Sequence, residues 1–214
     1  MIKAVIFDFD GVLVDTMPIH FITWKKLASY LGFELDPSTI DKMRGASRDK
    51  SLAIVLEQGG VDASPRQKQF YAHMKNTWYH YEIKEMTRRH LMPGALELLE
   101  QLKEKNIPVA MASSSKNAVH IIEHLSLQHY FQCMLDANDI QLTKPDPAVY
   151  LASAKNLGLP PESCLAIEDS PLGIKAAINA GCQCIGIGPE DNLAAATDVY
   201  ESLEKLEIEK YLVN

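Results

Sequence analysis

Residues 4–16 read AVIFDFDGVLVDT, an apolar run that passes directly into acidic residues. Four consecutive apolar residues are typical of a strand buried on both faces of a parallel sheet. Asp8 then follows at the carboxyl end of that strand, which is where ligands bind in open α/β sheets. Because side chains alternate along an extended backbone, Asp8 and Asp10 project to the same side. Their mutual repulsion favours a bound cation or a retained proton.

A simpler interpretation of the same stretch is also open. Asp10 and Gly11 can form an ordinary turn, since Asp bonds its own backbone and Gly supplies a positive φ. A functional interpretation therefore requires complementary residues at the ends of other strands.

The composition indicates a globular chain with a small acidic excess. Its 214 residues, 47% hydrophobic, suffice for one large domain or a core with a smaller companion. The formal charge of -7 argues against non-specific binding to nucleic acid or to an anionic membrane. The first apolar run is too short for a signal peptide or a membrane span, so we expect a cytoplasmic protein. Four cysteines are too few for a disulfide framework, and we expect Cys182 and Cys184 to pack in the core.

After Thr16 the spacing of apolar residues changes from strand-like to helical. A first helix is predicted over 19–31, and others are predicted to begin near Asp36, Ser47 and Ser64. The long helix after Ser64 is expected to place on one side Phe70, Met74, Trp78 and Tyr81.

The absence of strand-like runs in this region predicts an inserted domain. We expect a helical cap at residues 17–89 and an α/β core formed by residues 1–16 and 90–214. Hinges are predicted near residues 15–17 and 88–93.

Further strands are predicted after the insertion, at 107–112, 133–136, 164–167 and 184–187. The first of them runs into Ser113-Ser114-Ser115-Lys116-Asn117, a natural anion site because hydroxyls, amides and a helix start direct positive charge at a ligand. A capped serine-rich loop is the alternative. The end of the chain, through Leu203, Leu206 and Tyr211, is expected to form a charged surface helix.

The strand ends carry complementary chemistry in chain order. Asp8 with Asp10 comes first, followed by Ser113, by Lys144 in a stiff Lys-Pro-Asp-Pro loop, and by Glu168 with Asp169. In a parallel sheet these ends lie on one edge. Carboxylates supply ligands for Mg²⁺, and a serine and a lysine neutralise phosphate oxygens, which is what phosphoryl transfer requires.

This set of motifs resembles the haloacid dehalogenase superfamily over essentially the whole chain. The resemblance implies a Rossmann-like parallel-sheet core with an inserted α-helical bundle cap. The cap resembles that of the β-phosphoglucomutases in the following residues: His20, Trp24, Gly45, Ala46, Ser47, Arg48, Ser51, Lys75 and Asn76. Taken individually, Gly45 to Arg48 could be an ordinary helix connection, His20 a packed or surface residue, and Lys75 with Asn76 a solvated helix face.

The resemblance implies roles for the residues of the core. Asp8 would be the nucleophile that becomes an aspartyl phosphate, and Asp10 the general acid and base. Mg²⁺ would be held by Asp8, the Asp10 carbonyl and Asp169, with Glu168 as a ligand or a supporting partner.

The remaining residues would bind substrate. Ser113 and Lys144 would hold the transferring phosphate, whereas the second phosphate would lie on Arg48, Ser115, Lys116 and Asn117. His20, Trp24 and Lys75 would engage the sugar. The resemblance adds as contacts Thr16, Gly45, Ala46, Ser47, Ser51, Asn76 and Ser114.

The implied activity is a Mg²⁺-dependent mutase reaction between β-D-glucose 1-phosphate and glucose 6-phosphate through glucose 1,6-bisphosphate. The partners are then a sugar phosphate and a sugar bisphosphate, with no nucleic acid and no membrane, and we expect a monomer. A cap-bearing sugar-phosphate phosphatase is the first alternative. The second is a signalling receiver domain, against which the long insertion and the late Glu168-Asp169 pair speak.

Overall fold

The structure is a computed structural model and describes residues 1–212. Its strands are β1 (Ala4–Phe7), β2 (Val109–Ala112), β3 (Cys133–Leu135), β4 (Cys164–Glu168), β5 (Gln183–Ile187) and β6 (Asp198–Tyr200). Its helices are α1 (Met17–Tyr30), α2 (Arg48–Gln58), α3 (Pro65–Ile83), α4 (Ala95–Glu104), α5 (Ala118–His124), α6 (Ala148–Asn156), α7 (Pro171–Ala180) and α8 (Glu190–Leu193). Within residues 1–212, no helix has both the length and the apolar character needed to cross a membrane.

The six strands form one parallel sheet in the order β3-β2-β1-β4-β5-β6. β1 is central because its side chains are apolar and buried on both faces. Val5 faces the apolar cluster beneath α4 and α5, whereas Ile6 faces the cluster beneath α6 and α7. Phe7 pairs with Met111 of β2 and Ile167 of β4, so these three strands end at one level. The residues that follow them share one edge of the sheet.

The helices α1, α2 and α3 lie in the chain between β1 and β2 and have an apolar cluster of their own, built around Trp24, Leu27 and Val55. The α2 helix begins after Ser47 and α3 after Ser64, and each serine accepts a bond from a backbone N–H of the first turn. The predicted fold class, a parallel-sheet core with an inserted helical bundle, is confirmed. The domain limits at residues 17–89 stay a prediction.

The predicted buried face of α3 is partly wrong. Phe70 and Tyr81 are 53% and 66% exposed, whereas Lys75, Tyr79 and Ile83 are the buried residues of the helix. Those three recur every four residues and form a single stripe. The prediction followed the aromatic residues and therefore overlooked a stripe that begins with a lysine.

Two further helix predictions are corrected by the structure. The segment after Asp36 is a 3₁₀ helix, Pro37–Met43, and the end of the chain contains β6 followed by 3₁₀ helices at Leu203–Lys205 and Ile208–Lys210. Leu203, Leu206 and Ile208 are buried at irregular spacing, which a regular surface helix cannot provide.

Candidate active site

Charged side chains meet where β1, β2 and β4 end. Asp8 follows β1, Glu168 is the last residue of β4, and Lys144 reaches both from the loop before α6. The Lys144 ammonium lies 2.5 Å from Asp8 Oδ1 and 2.5 Å from Glu168 Oε1, and it donates to the Ala112 carbonyl at 3.1 Å. All three charged side chains are buried, so little water screens them.

The charge balance around Asp8 depends on Lys144. Burial alone would lower the pKa of Lys144, but the Asp8 and Glu168 charges outweigh burial and raise the pKa above its usual value. Burial raises the pKa of Asp8 well above its usual range; the Glu168 charge adds to this shift and Lys144 opposes it. An ionised Asp8 therefore needs cations close by.

Glu168 is held through both carboxylate oxygens. Its Oε1 accepts from Lys144 and from the Tyr150 hydroxyl at 2.6 Å. Its Oε2 accepts from the Ser170 hydroxyl at 3.1 Å and from the backbone N–H of Asp169 at 3.2 Å. These bonds fix the carboxylate, so Glu168 both contributes charge and orients Lys144.

The acidic residues at this edge can share a metal ion. Ligand oxygens of Asp8, Glu168 and Asp169 lie within 4.8 Å of one another. Within residues 1–212, the buried Oδ1 of Asp169 has no hydrogen-bond partner, whereas Oδ2 accepts from Arg44 Nη1 at 3.0 Å. A buried oxygen without a partner is costly unless a ligand takes it. The donor set, all carboxylate oxygen, fits a hard divalent cation such as Mg²⁺.

Arg44 is a site residue that the sequence analysis missed. Burial raises the pKa of Asp169 to about 7, the Glu168 charge adds to this, and Arg44 opposes it. Gly11 allows the Asp169 carboxylate to lie close to the backbone after β1, because a Cβ atom at Gly11 would collide with that carboxylate. The available signal was the place of Arg44 immediately before Gly45, in the loop already predicted to contact substrate.

Asp10 lies at the edge of the main cavity. It accepts from the Thr16 hydroxyl, and His20 Nε2 lies 3.6 Å from its Oδ1. Burial alone would raise the pKa of Asp10, but the bonds and charge of His20 and the Thr16 bond outweigh burial and lower the pKa. Asp10 is therefore a carboxylate beside two donor groups, suited to accepting and returning a proton.

Lys75 lies behind His20. Its Nζ is 2.9 Å from His20 Nδ1, and the side chain is 2% exposed. Burial lowers the pKa of Lys75 well below its usual value, and the Arg48 charge adds to this. The alternative interpretation of Lys75 as part of a solvated helix face is therefore wrong. Asn76 also faces the core, because its Oδ1 accepts from Asn117 Nδ2 at 3.1 Å.

The main cavity lies between the helical bundle and the core and measures about 660 Å³. The predicted residues that line it are Asp10, His20, Trp24, Ala46, Ser47, Arg48, Ser51, Lys75, Ser114, Ser115, Lys116 and Asn117. The analysis did not predict Asp49, Gln69, Ala72, His73, Ala137, Asn138, Gln141 and Thr143, which line it too. Asp8 and Gly45 line a smaller pocket that shares Asp10 and Ser114 with the cavity. The other predicted residues, outside both linings, are Thr16, Asn76, Ser113, Lys144, Glu168 and Asp169.

Two cations line the cavity although the whole chain is acidic. Arg48, the first residue of α2, makes no ion pair within 4.0 Å in residues 1–212. Lys116 lines the same space from the loop after β2. In that loop the Ser113 hydroxyl accepts from the Ser115 N–H at 3.0 Å, and the Ser115 hydroxyl accepts from the Asn117 N–H at 3.2 Å. These bonds are those of a capped loop, and the two cations are in keeping with the predicted anion site.

The helical bundle contacts the core directly over the site. Besides the ion pair of Arg44 with Asp169, Lys50 Nζ donates to the backbone carbonyl of Lys144 at 3.2 Å. Groups from the bundle thus reach the same residues that hold the buried charges of the core.

The chain is similar to several known proteins. It matches the haloacid dehalogenase-like hydrolase family over residues 5–187. A β-phosphoglucomutase from Bacillus subtilis is 37% identical over 97% of this chain and 92% of its own length. A phosphorylated carbohydrates phosphatase from Thermotoga maritima is 31% identical over 86% of this chain and 83% of its own. The crystal structure of a β-phosphoglucomutase from Clostridium difficile, 37% identical, gives a TM-score of 0.92 over 98% of this chain and 95% of that one.

The family match spans the acidic strand end at Asp8, the Lys144 loop and the Glu168-Asp169 pair. It excludes the receiver-domain alternative and agrees with the sheet order and the inserted helices. The chain belongs to the haloacid dehalogenase-like hydrolase family, and within it resembles the β-phosphoglucomutases.

Proposed function

We propose that the protein is a β-phosphoglucomutase that interconverts β-D-glucose 1-phosphate and glucose 6-phosphate. The observation that carries the proposal is that cations lie at two adjoining pockets. Lys144 bonds to Asp8, which lines the smaller pocket, whereas Arg48 and Lys116 line the main cavity, which shares Asp10 and Ser114 with that pocket. A bisphosphorylated sugar needs both places at once, whereas hydrolysis of a monophosphate needs one.

Asp8 is the nucleophile in this proposal. Its carboxylate oxygen bonds to phosphorus as the bond from phosphorus to the sugar oxygen breaks, which leaves an aspartyl phosphate. Lys144 favours the ionised carboxylate and neutralises phosphate oxygens, and the hydroxyl of Ser113 supplies a further donor.

Asp10 moves the proton. Protonated, it gives its proton to the sugar oxygen that leaves phosphorus; ionised, it takes the proton from the hydroxyl that attacks the aspartyl phosphate. Thr16 and His20 hold its carboxylate in place. The bisphosphate turns round between the two transfers, so that each of its phosphates meets Asp8 in turn.

A divalent ion completes the nucleophile end. Asp8, Asp169 and the backbone carbonyl of Asp10 would hold Mg²⁺, with Glu168 as a further ligand or a supporting partner. The ion would offset negative charge on the transferring phosphate. Support for this placement comes from the unpartnered oxygen of Asp169.

The helical bundle distinguishes a mutase from a phosphatase. An aspartyl phosphate that awaits a second transfer must be kept from water, which requires a closed lid with sugar beneath it. The contacts of Arg44 and Lys50 with the core support such a lid. A sugar-phosphate phosphatase remains the alternative, favoured by the Thermotoga maritima relative.

One assay separates the two activities. Protein, Mg²⁺, β-glucose 1-phosphate and a trace of glucose 1,6-bisphosphate are mixed and followed by ³¹P NMR. Glucose 6-phosphate is expected as the main product, and its formation should depend on the bisphosphate. Inorganic phosphate as the main product would contradict the mutase and support the phosphatase. Asp8→Asn is the matched control and should form neither.

A further inference from the structure

Lys75 is a buried cation without a carboxylate. Within residues 1–212, no Asp or Glu lies within 4.0 Å of its ammonium. Among the same residues, its one hydrogen-bonding contact is with His20 Nδ1, at 2.9 Å. Buried charges are normally paired, so something else must stabilise this one.

Two aromatic rings provide that stabilisation. The Lys75 Nζ lies 4.3 Å from the centroid of the Tyr79 ring and 4.9 Å from that of Trp24. Both rings are buried, and a cation over an aromatic face is attracted most strongly where water is excluded. The rings therefore favour the charged amine, although burial lowers the pKa of Lys75.

Tyr79 also contacts His20. The two rings stack with centroids 4.5 Å apart and planes inclined by 28°. The Tyr79 hydroxyl is buried and has no hydrogen-bond partner in residues 1–212. Its contribution at this place therefore comes from the ring, which touches both members of the pair formed by Lys75 and His20.

With Lys75 protonated, its contact with His20 determines which nitrogen carries the imidazole proton. An ammonium can only donate, so Nδ1 of His20 accepts from Lys75. A neutral imidazole with Nδ1 as acceptor carries its proton on Nε2. That nitrogen is the one facing Asp10, 3.6 Å from Oδ1.

We propose that Tyr79 is a positioning residue: its ring, opposite Trp24, holds the Lys75 ammonium against His20 Nδ1, so that the Nε2 proton points at Asp10. Tyr79 lines neither the main cavity nor the smaller pocket, and it acts through two other side chains. The link to catalysis rests on the proposed function, because it requires Asp10 to be the acid and base. The arrangement of the imidazole proton does not rest on that function.

The direct test is the tautomer of His20. Protein labelled with ¹⁵N in histidine, without substrate, is measured by long-range ¹H–¹⁵N NMR above the histidine pKa, and His20→Gln assigns the signals. Wild type and Tyr79→Phe should both show the Nε2–H form, because the conservative variant keeps the ring. Tyr79→Leu should show a mixture of the two tautomers. Retention of the pure Nε2–H form in Tyr79→Leu, or its loss in Tyr79→Phe, would overturn the proposal.

A control separates this effect from general loss of packing. Ile83→Ala removes a buried side chain one turn further along α3 and should lower thermal stability without changing the His20 signals. Tyr79→Met fills more of the space and replaces Tyr79→Leu if the latter does not fold. Trp24→Leu removes the second ring and should shift the His20 tautomer in the same direction. Absence of a shift in Trp24→Leu, or in Tyr79→Met where it replaces Tyr79→Leu, would contradict the proposed role of the rings.

Kinetics then connect the arrangement to the reaction. Tyr79→Leu should lower kcat about tenfold with little change in KM, the size of effect expected for one lost cation–π contact, and Tyr79→Phe should restore most of the rate. An unchanged kcat in Tyr79→Leu would contradict the catalytic link. If the tautomer shifts as expected but wild type releases only inorganic phosphate, the mutase proposal fails and the positioning role of Tyr79 stands.

Discussion

The core and the helical bundle each bury a lysine, and they stabilise it in different ways. In the core, Lys144 lies 2.5 Å from two carboxylates, and that of Glu168 also accepts from Tyr150 and Ser170. In the bundle, the Lys75 ammonium lies 4.9 Å and 4.3 Å from two aromatic ring centroids and contacts one imidazole. Removing the core lysine would strand two anions, whereas removing the bundle lysine would strand none.

The difference suits what each region is proposed to do. Fixed charge pairs hold the nucleophile in one geometry through every step, and low solvent access makes them strong. The partners of Lys75 all belong to the bundle, so this arrangement can move with the bundle as one unit. The ion pair that joins the bundle to the core is that of Arg44 with Asp169.

The largest expected effect comes from removing the core nucleophile. Asp8→Asn keeps the shape of the side chain but not its nucleophilic charge, so turnover should fall by about 10⁵-fold or more. Circular dichroism should show the fold retained. Mass spectrometry of protein exposed to glucose 1,6-bisphosphate checks the assignment, since phosphoaspartate in this variant would contradict it.

The two buried lysines can be compared directly by urea unfolding in EDTA. Lys144→Met leaves Asp8 and Glu168 without their cation and should reduce the free energy of unfolding by about 3–5 kcal/mol. Lys75→Met leaves no carboxylate unpaired and should cost about 1 kcal/mol or less. Equal losses of unfolding free energy in the two variants would mean that the two lysines contribute equally to stability despite their different partners.

The bundle side of the comparison is sharpened by Arg48. Arg48→Ala removes a charged donor from the lining of the cavity and should raise KM for glucose 1,6-bisphosphate by about 10- to 100-fold. Hydrolysis of p-nitrophenyl phosphate, which has one phosphate, should change little. Arg66→Ala, an exposed arginine in the first turn of α3, is the matched control. Equal losses with both substrates would make Arg48 structural.

The smallest effect concerns pH at the contact between the bundle and the core. His80 of α3 and His120 of α5 have ring centroids 6.2 Å apart. Partial burial lowers the pKa of His80, and the charges of His120, Arg48 and Lys84 add to this. A histidine pKa that is lower in the folded chain contributes stability above the unfolded pKa of about 6.5, and this is lost as pH falls through the folded value.

This pH effect is measured by thermal unfolding. His80→Gln should reduce the loss of Tm between about pH 7.5 and about pH 5.5. The corresponding change in the free energy of unfolding is no more than a few tenths of a kcal/mol, because His80 is largely solvated. His73→Gln, on an exposed position of the same helix, controls for loss of any histidine. If the dependence of Tm on pH is the same for His80→Gln and wild type, His80 makes no such contribution to stability.

The parts of the molecule predicted best from sequence are those fixed by local pattern. Continuous apolar runs identified the central strands, and the parallel arrangement then required Asp8, Lys144 and Glu168 to share one edge. That inference requires only the direction of the strands, because parallel strands end at the same edge of the sheet. It does not require the order of the strands, the exact distances or the cis or trans state of a peptide bond.

The parts that were missed depend on contacts between distant segments. Arg44 looks like any loop arginine until the bundle is docked beside Asp169. Tyr79 and Lys75 were not recognised as a buried stripe, because hydropathy assigns a lysine to the solvent side of a helix. Tyr150 gains its role from Glu168, which arrives from a different strand. Such signals are non-local, and a single sequence does not display them.

The two oxygens of Asp169 have different surroundings: Oδ2 accepts from the Arg44 guanidinium of the bundle, whereas the buried Oδ1 has no hydrogen-bond partner in residues 1–212. A cation at the open oxygen and Arg44 at its twin draw on the same negative charge. Loading of the ion and seating of the lid are then thermodynamically linked, and whatever factor one imposes on the other is returned in equal measure. If the proposed Mg²⁺ binds there, a chelator would therefore also change how tightly the helical bundle is held on the core through Arg44.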